Sequence, residues 1–214
     1  MLKSQKTNQL LIWAKFIEDG DTSSLSIIYK ENYDMLYDYG MRHTSDIKIV
    51  EDSIQEIFIS IIKYRKKIGA IKNLQGYLVS SFRHQLFLNL NGKKKTISID
   101  QMPEGAFDYF KSSDSEISEK EDKEYLYSTI NECISKLTNK QKEILYLRFE
   151  QDIPYDEIAN ILNISVESCY KSIYRTIKAI RSAAEAKILN SGKLILGFSI
   201  DQISKMKSQK PPGN

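Results

Sequence analysis

Four prolines and nine glycines among 214 residues leave long stretches with nothing to interrupt a helix. No Asn-Gly or Asp-Gly hairpin turn flanked by alternating apolar residues occurs, which argues against a β fold. The two cysteines, Cys133 and Cys169, lie far apart at apolar helix positions. They exclude a disulfide framework, read as small buried side chains, and fit a reducing cytoplasm. The two histidines, His43 and His84, are equally far apart, and there is no HxxxH, CxxC or glycine-rich phosphate loop. A catalytic reading therefore has no support, and no metal or cofactor is expected. No apolar run reaches membrane-spanning length, so membrane insertion is not expected. The first twenty residues, MLKSQKTNQLLIWAKFIEDG, hold too short an apolar run before Glu18 and Asp19 for a secretory signal. Net charge is only +3, so any contact with nucleic acid must come from local patches.

Apolar periodicity is helical throughout. It predicts helices at Asn8–Asp19, Ser23–His43, Ile47–Ile68, Leu74–Leu90, Asp122–Lys136, Asn139–Glu150, Tyr155–Leu162 and Val166–Ala186. Between them, residues 96–124 carry nine acidic side chains against three basic ones, with the serine cluster SSDSEIS and Pro103. That composition predicts a flexible acidic linker. The expected fold is all-α: two small helical domains joined by the linker. Their bounds are 1–95, 96–124 (linker) and 125–186, followed by a C-terminal extension, 187–214.

Leu137–Arg181 is the most informative stretch. A short helix at Tyr155–Leu162, entered through Pro154, buries Ile158, Ala159 and Leu162 and exposes Asp156, Glu157 and Asn160. Asn163–Ser165 breaks it, and Ser165 is suited to cap the next helix. There, Val166, Cys169, Tyr170, Ile173, Ile177, Ile180 and Ala184 share one side, while Lys171, Arg175 and Lys178 share the other with Ser168, Ser172 and Ser182. A solvated lysine face is the plainer reading. Turn length, cap and charge side agree better with a helix-turn-helix whose second helix enters the DNA major groove.

The front half carries two further signals. Ile47, Val50, Ile54, Ile57, Phe58 and Ile61 form an apolar stripe, opposite Glu51, Asp52, Gln55 and Glu56. Periodicity leaves the acidic side open between a solvated face and a dock for a basic partner. A divalent-ion site at Asp52 and Glu56 is less in keeping with an exposed acidic helix. The next helix interleaves Tyr77, Leu78, Phe82, Leu86 and Leu90 with Asn73, Arg83 and His84, ahead of Lys93, Lys94 and Lys95. That mixture suits unstacked bases and phosphates, although aromatics at helical spacing are more often core.

Taken in order, these motifs resemble bacterial sigma factors of the extracytoplasmic-function (group four) class, closest to those of Bacteroidetes-type bacteria. VEDSIQEIF resembles the AEDxxQExF signature of region 2.2, NLQGYLVSSFRHQLF resembles region 2.3, and Leu137–Arg181 resembles region 4.2. The resemblance spans about Asn8–Asn91 and Asp122–Ala184. It implies a non-enzymatic protein that binds core RNA polymerase and directs it to promoter DNA. Glu51, Asp52, Gln55 and Glu56 would dock on the clamp helices of the largest subunit, and the last domain would meet the flap of the second-largest. Lys72, Asn73, Tyr77, Ser80, Arg83, His84, Lys93, Lys94 and Lys95 would serve the −10 region and its melting. Tyr155, Ser168, Lys171, Ser172, Arg175 and Lys178 would serve the −35 element.

Tyr77, His84, Leu88 and Asn91 depart from the usual Trp, Asn, Asp and Arg of region 2.3. Tyr170 and Ser172 replace common basic residues of the recognition helix. These departures imply weaker promoter reading, assisted by another, recruiting factor, while an anti-sigma factor would restrain the protein. The extension, with its apolar run LILGFSI, reads as a disordered tail with one sticky patch, ahead of a dock for a partner. The alternative is a LuxR-like helix-turn-helix regulator that binds DNA without polymerase.

Overall fold

A computed structural model describes residues 2–92, 106–110 and 130–191, with side chains for 8–92, 106–110 and 130–182. The fold is all-α, with no strand among the described residues. The helices are α1 (Leu2–Asp19), α2 (Thr22–His43), α3 (Ile47–Tyr64), α4 (Leu74–Leu90), α5 (residues 130–135), α6 (Asn139–Leu145), α7 (Tyr155–Leu162) and α8 (Val166–Ser191). A 3₁₀ turn (Arg65–Lys67) follows α3, and a π-helical turn (Tyr146–Glu150) follows α6.

Local chemistry sets most boundaries. The side chains of Asp21, Asp46, Asn73 and Thr138 accept from backbone amides in the first turns of α2, α3, α4 and α6. Thr138 and Gln141 form a reciprocal capping box. Gly20, at φ +75°, ends α1 in a left-handed turn, with the Arg65 guanidinium against its Cα and over the carbonyls of Phe16, Ile17 and Glu18. The helix expected over Ile47–Ile68 stops at Tyr64. The one expected to Glu150 gives way to the π turn after Leu145. There the widened turn buries both Tyr146 and Leu147, a demand of packing that a regular 3.6 period does not announce.

α4 is the axis of the molecule. α1, α2, α3 and α7 all pack against it. None of its residues from Leu74 to Leu90 is exposed. Leu78, Val79, Phe82 and Leu86 are fully enclosed, with Ile28, Leu36, Tyr39, Val50 and Ile54 opposite. Ile144, Tyr146, Leu147, Ile153, Ile158, Cys169 and Ile173 belong to the same continuous core. The two helical units expected from the sequence thus share one apolar interior.

Two corrections concern helix starts. Helical spacing puts Ile47 and Val166 on the apolar sides of α3 and α8, yet they are 50% and 41% exposed. Each is the first residue of its helix, beyond the reach of the packing partner. Cys133 is half-buried and Cys169 buried. Of the expected linker, Ala106–Phe110 is packed: Phe107 is buried against Tyr39, His43 and Tyr146, and the Asp108 amide donates to the Arg42 carbonyl at 2.8 Å. Three aromatics, Phe107, Tyr109 and Phe110, in an otherwise acidic stretch account for this. The rest of the linker, the tail from 192 and the lysines Lys93, Lys94 and Lys95 lie outside the described residues.

Gly40 marks the tightest crossing. A Cβ there would stand 2.7 Å from Val50 Cγ1 and 2.8 Å from Phe82 Cζ, both core atoms. Gly40→Ala should therefore destabilise the fold by about 1–3 kcal/mol, the usual range for an overpacked core, despite the better helix propensity of alanine. Urea titration of the variant checks this, and an unchanged or raised midpoint contradicts the crossing.

Candidate nucleic-acid interface

α7 and α8 form the helix-turn-helix. Asn163 closes α7 in the left-handed conformation at φ 48°, and the Ile164 amide returns to the Ala159 carbonyl at 2.9 Å. Asparagine tolerates this geometry better than most side chains. Ser165 Oγ then accepts from the Ser168 amide at 3.1 Å, which starts α8. Ile158, Ala159, Ile161 and Leu162 from α7 meet Cys169 and Ile173 from α8 in the core. Tyr155 packs against Tyr170 with ring centroids 4.2 Å apart and planes tilted by 36°, and the Arg148 guanidinium lies 4.8 Å over the Tyr155 ring. Tyr155 thus braces the back of α8 as well as standing at the start of α7.

Ser168, Lys171, Arg175 and Lys178 all lie on the exposed side of α8, and Ser172 is half-buried. Glu167 pairs with Lys171 at 2.6 Å, and its hydrogen bond to that ammonium lowers the carboxyl pKa. Tyr174, 69% exposed, stands within the same stripe between Lys171 and Lys178. The sequence reading missed it because apolar periodicity does not mark a tyrosine on the basic side. Its spacing, three residues after Lys171 and four before Lys178, was the available signal.

On α3, Asp52 and Gln55 are exposed and Glu51 half-exposed. Glu56 is drawn inward, accepting from Gln85 Nε2 at 2.6 Å and Asn89 Nδ2 at 2.9 Å. The outer stripe continues through Ile59 and Ile62, 61% and 54% exposed, which the sequence reading also missed. They repeat the 52, 55, 59, 62 spacing of one helix side. The apolar periodicity of α3 was already accounted for by its buried side, which hid this second stripe.

The α4 residues are placed differently. Asn73 caps the helix, and Lys72 is exposed beside Glu157. Tyr77 is half-buried against Trp13, centroids 5.6 Å apart, and Ser80 and His84 are half-buried. Arg83 is buried and donates from Nε to Glu143 Oε1 of α6 at 2.8 Å. The hydroxyl of Tyr39 donates to the same oxygen at 2.5 Å, and His43 Nε2 lies 3.5 Å from it. Alongside, Arg42 pairs with Asp38 at 3.1 Å and Glu150 at 3.5 Å, and it donates to the Tyr109 carbonyl. The Tyr146 hydroxyl donates to Asp38 at 2.7 Å while its ring lies 4.3 Å under the Arg42 guanidinium. A polar seam, with partners from both halves, therefore runs between α2, α4 and α6.

Burial alone would raise the Glu143 carboxyl, but the nearby His43 ring and the Arg83 charge overcome it and hold it at about 2. Burial beside Glu143 pushes the Tyr39 hydroxyl well up. Glu143 therefore stays ionised, an acceptor for two donors.

Residues 128–180, about a quarter of the chain, match the family model of Sigma-70, region 4. The match takes in α5–α7 and the first half of α8. No curated protein matches the chain.

The seam has a pH signature. A carboxyl with a lowered folded value contributes stability above its ordinary value of 4.5, and that contribution is lost as pH falls toward about 2. Thermal stability of the wild type should therefore drop more steeply between those limits than that of Glu143→Gln. Melting curves across this range check it, and equal slopes would remove the Glu143 charge from the account.

Proposed function

We propose that this protein is a sigma factor of the extracytoplasmic-function class, which binds core RNA polymerase and directs it to promoters. The observation that carries the reading is the Sigma-70 region 4 match falling on a helix-turn-helix whose exposed side holds Lys171, Tyr174, Arg175 and Lys178. On this reading α8 enters the major groove of the −35 element. Lysine and arginine supply phosphate attraction and hydrogen bonds to base edges, and Tyr174 supplies apolar contact.

The front unit supports the same reading. Asp52, Gln55, Ile59 and Ile62 form an exposed stripe, acidic and polar at one end and apolar at the other, suited to the clamp helices of the largest polymerase subunit. The α4 segment with Lys72, Asn73, Tyr77, Ser80, Arg83 and His84 serves the −10 strand. The region 4 unit meets the flap of the second-largest subunit. A protein of this kind acts in the cytoplasm, and no described helix is long and apolar enough to cross a membrane. An anti-sigma or recruiting partner acts on it in the cell.

The decisive experiment is transcription in vitro with core polymerase on genomic DNA, with start sites mapped with and without the protein. New, discrete start sites are expected. DNA binding without polymerase binding would instead make it a helix-turn-helix regulator. Arg175→Ala should weaken promoter binding by about 1–3 kcal/mol with relaxed preference at one base pair if it reads a base. If it touches phosphate only, the loss is uniform across sequences and the salt slope falls. Both arms are read by binding isotherms on a promoter series. Asp52→Ala with Gln55→Ala, both exposed, should reduce assembly with core polymerase while melting as the wild type does. Undiminished co-elution with core polymerase would contradict the α3 dock.

A further inference from the structure

We propose that Glu167 is a base-reading residue of α8 and that, together with Lys171, it selects a C·G base pair in promoter duplex, with the carboxylate over the cytosine and the ammonium over the guanine. The inference rests on the sigma-factor reading for the DNA that α8 meets. It goes beyond that reading by naming the base pair and a residue that selects it.

Three observations converge on Glu167. First, it stands in line with the basic stripe. Residues 167, 171, 174 and 178 follow at intervals of four, three and four, which keeps them on one side of a helix. Glu167, Lys171, Tyr174 and Lys178 are all exposed. Second, Glu167 is the second residue of α8, and the N-terminal residues of a recognition helix are the ones that meet base edges. Third, from Val166 to Ala184 it is the one acidic residue, set among Lys171, Arg175, Lys178 and Arg181. A carboxylate on that line is repelled by phosphates, so it works against general attraction to DNA. Cytosine N4 is the base-edge donor that a carboxylate suits.

The pairing with Lys171 narrows the choice of base pair. Glu167 Oε1 and Lys171 Nζ are 2.6 Å apart, an acceptor and a donor side by side. A carboxylate accepts at both oxygens and an ammonium carries three donors, so each keeps capacity beyond their mutual bond. In the major groove a C·G pair presents the complementary set: the cytosine N4 donor beside the guanine O6 acceptor, with guanine N7 next to it. N4 and O6 are hydrogen-bonded to each other within the pair, so they too stand at hydrogen-bond distance. An A·T pair also sets a donor, adenine N6, beside an acceptor, thymine O4. It offers the ammonium one acceptor flanked by a methyl group, where guanine offers two acceptors. The neighbouring Ser168 takes part in the helix cap, its amide and hydroxyl both bonded to Ser165 Oγ, so Glu167 is the acceptor of the first turn that extends past the cap.

A helix-stabilising role is the competing account. An acid in the first turn favours the helix dipole, and an exposed i, i+4 ion pair adds a little. That role leaves base preference untouched, whereas base reading ties the preference to the chemistry of residue 167. The test is transcription with core polymerase and the full-length protein on variants of a mapped promoter, each base pair of the upstream duplex element being replaced in turn by the other three. At limiting DNA the wild type should favour C·G at one position by about fivefold or more in initiation. Glu167→Ala should lose the preference at that position alone. Glu167→Gln should move it to A·T, because a glutamine amide pairs with adenine N6 and N7. Both variants should keep the helical far-UV spectrum of the wild type.

An unchanged preference in Glu167→Ala overturns the proposal. So does a uniform gain across all four pairs, which marks the carboxylate as a repulsive charge only, and so does a wild-type preference for a pair other than C·G that both variants lose. If no start site appears with core polymerase, the sigma-factor reading falls separately. Base preference is then read by selection of randomised duplexes with the full-length protein alone. A C·G position that Glu167→Gln turns to A·T upholds the proposal there, and any other outcome overturns it.

Discussion

Everything in this molecule turns on one buried carboxylate. Glu143 sits where α2, α4 and α6 meet, with 6% of its side chain exposed, and accepts from Tyr39 and Arg83. Taking a carboxylate and a guanidinium out of water is costly, and the arrangement holds only because the lone pairs and donors are matched. Such a seam adds less to net stability than apolar packing of the same volume would. It adds geometric selectivity: the two units can meet in one register, since any other leaves a charge buried without its partner.

That register explains the division of exposed surface. α3 and α8 keep outward stripes of mixed chemistry, whereas α4 has none. Among the described residues one apolar core takes in residues from Trp13 to Ile173, drawn from both halves of the chain. Side-chain hydrogen bonds and ion pairs at the seam lie among the aromatic rings of Tyr39, Tyr146 and Phe107, which exclude water and strengthen the polar contacts beside them. Arg42 takes part in the same way, stacked on Tyr146 and tied to the connecting segment.

Much was legible in advance, for identifiable reasons. α4 and α7 match their expected limits because Asn73 caps one and Pro154 and Asn163 bracket the other. The exposed residues of α8 follow directly from helical spacing and the Ser165 cap. Ile59, Ile62 and Tyr174 were missed because an outward apolar or aromatic side chain looks, in a pattern, like part of the core. The π turn at Tyr146–Glu150 and the packed segment around Phe107 were missed because both answer to partners distant in the chain.

The sequence by itself determined the helices, the turn between α7 and α8, and the chemistry carried on each helix side. Those depend on capping, spacing and charge within a few residues. Only the tertiary structure decided which of those sides are open. Asn73, Tyr77, Ser80 and Arg83 read as a surface for a nucleic-acid strand, and Arg83 is enclosed by Glu143, sixty positions away in the chain. Spacing within a helix carries no information about a carboxylate that far along the sequence. Whether a charged side chain faces water or a partner is therefore settled by packing alone.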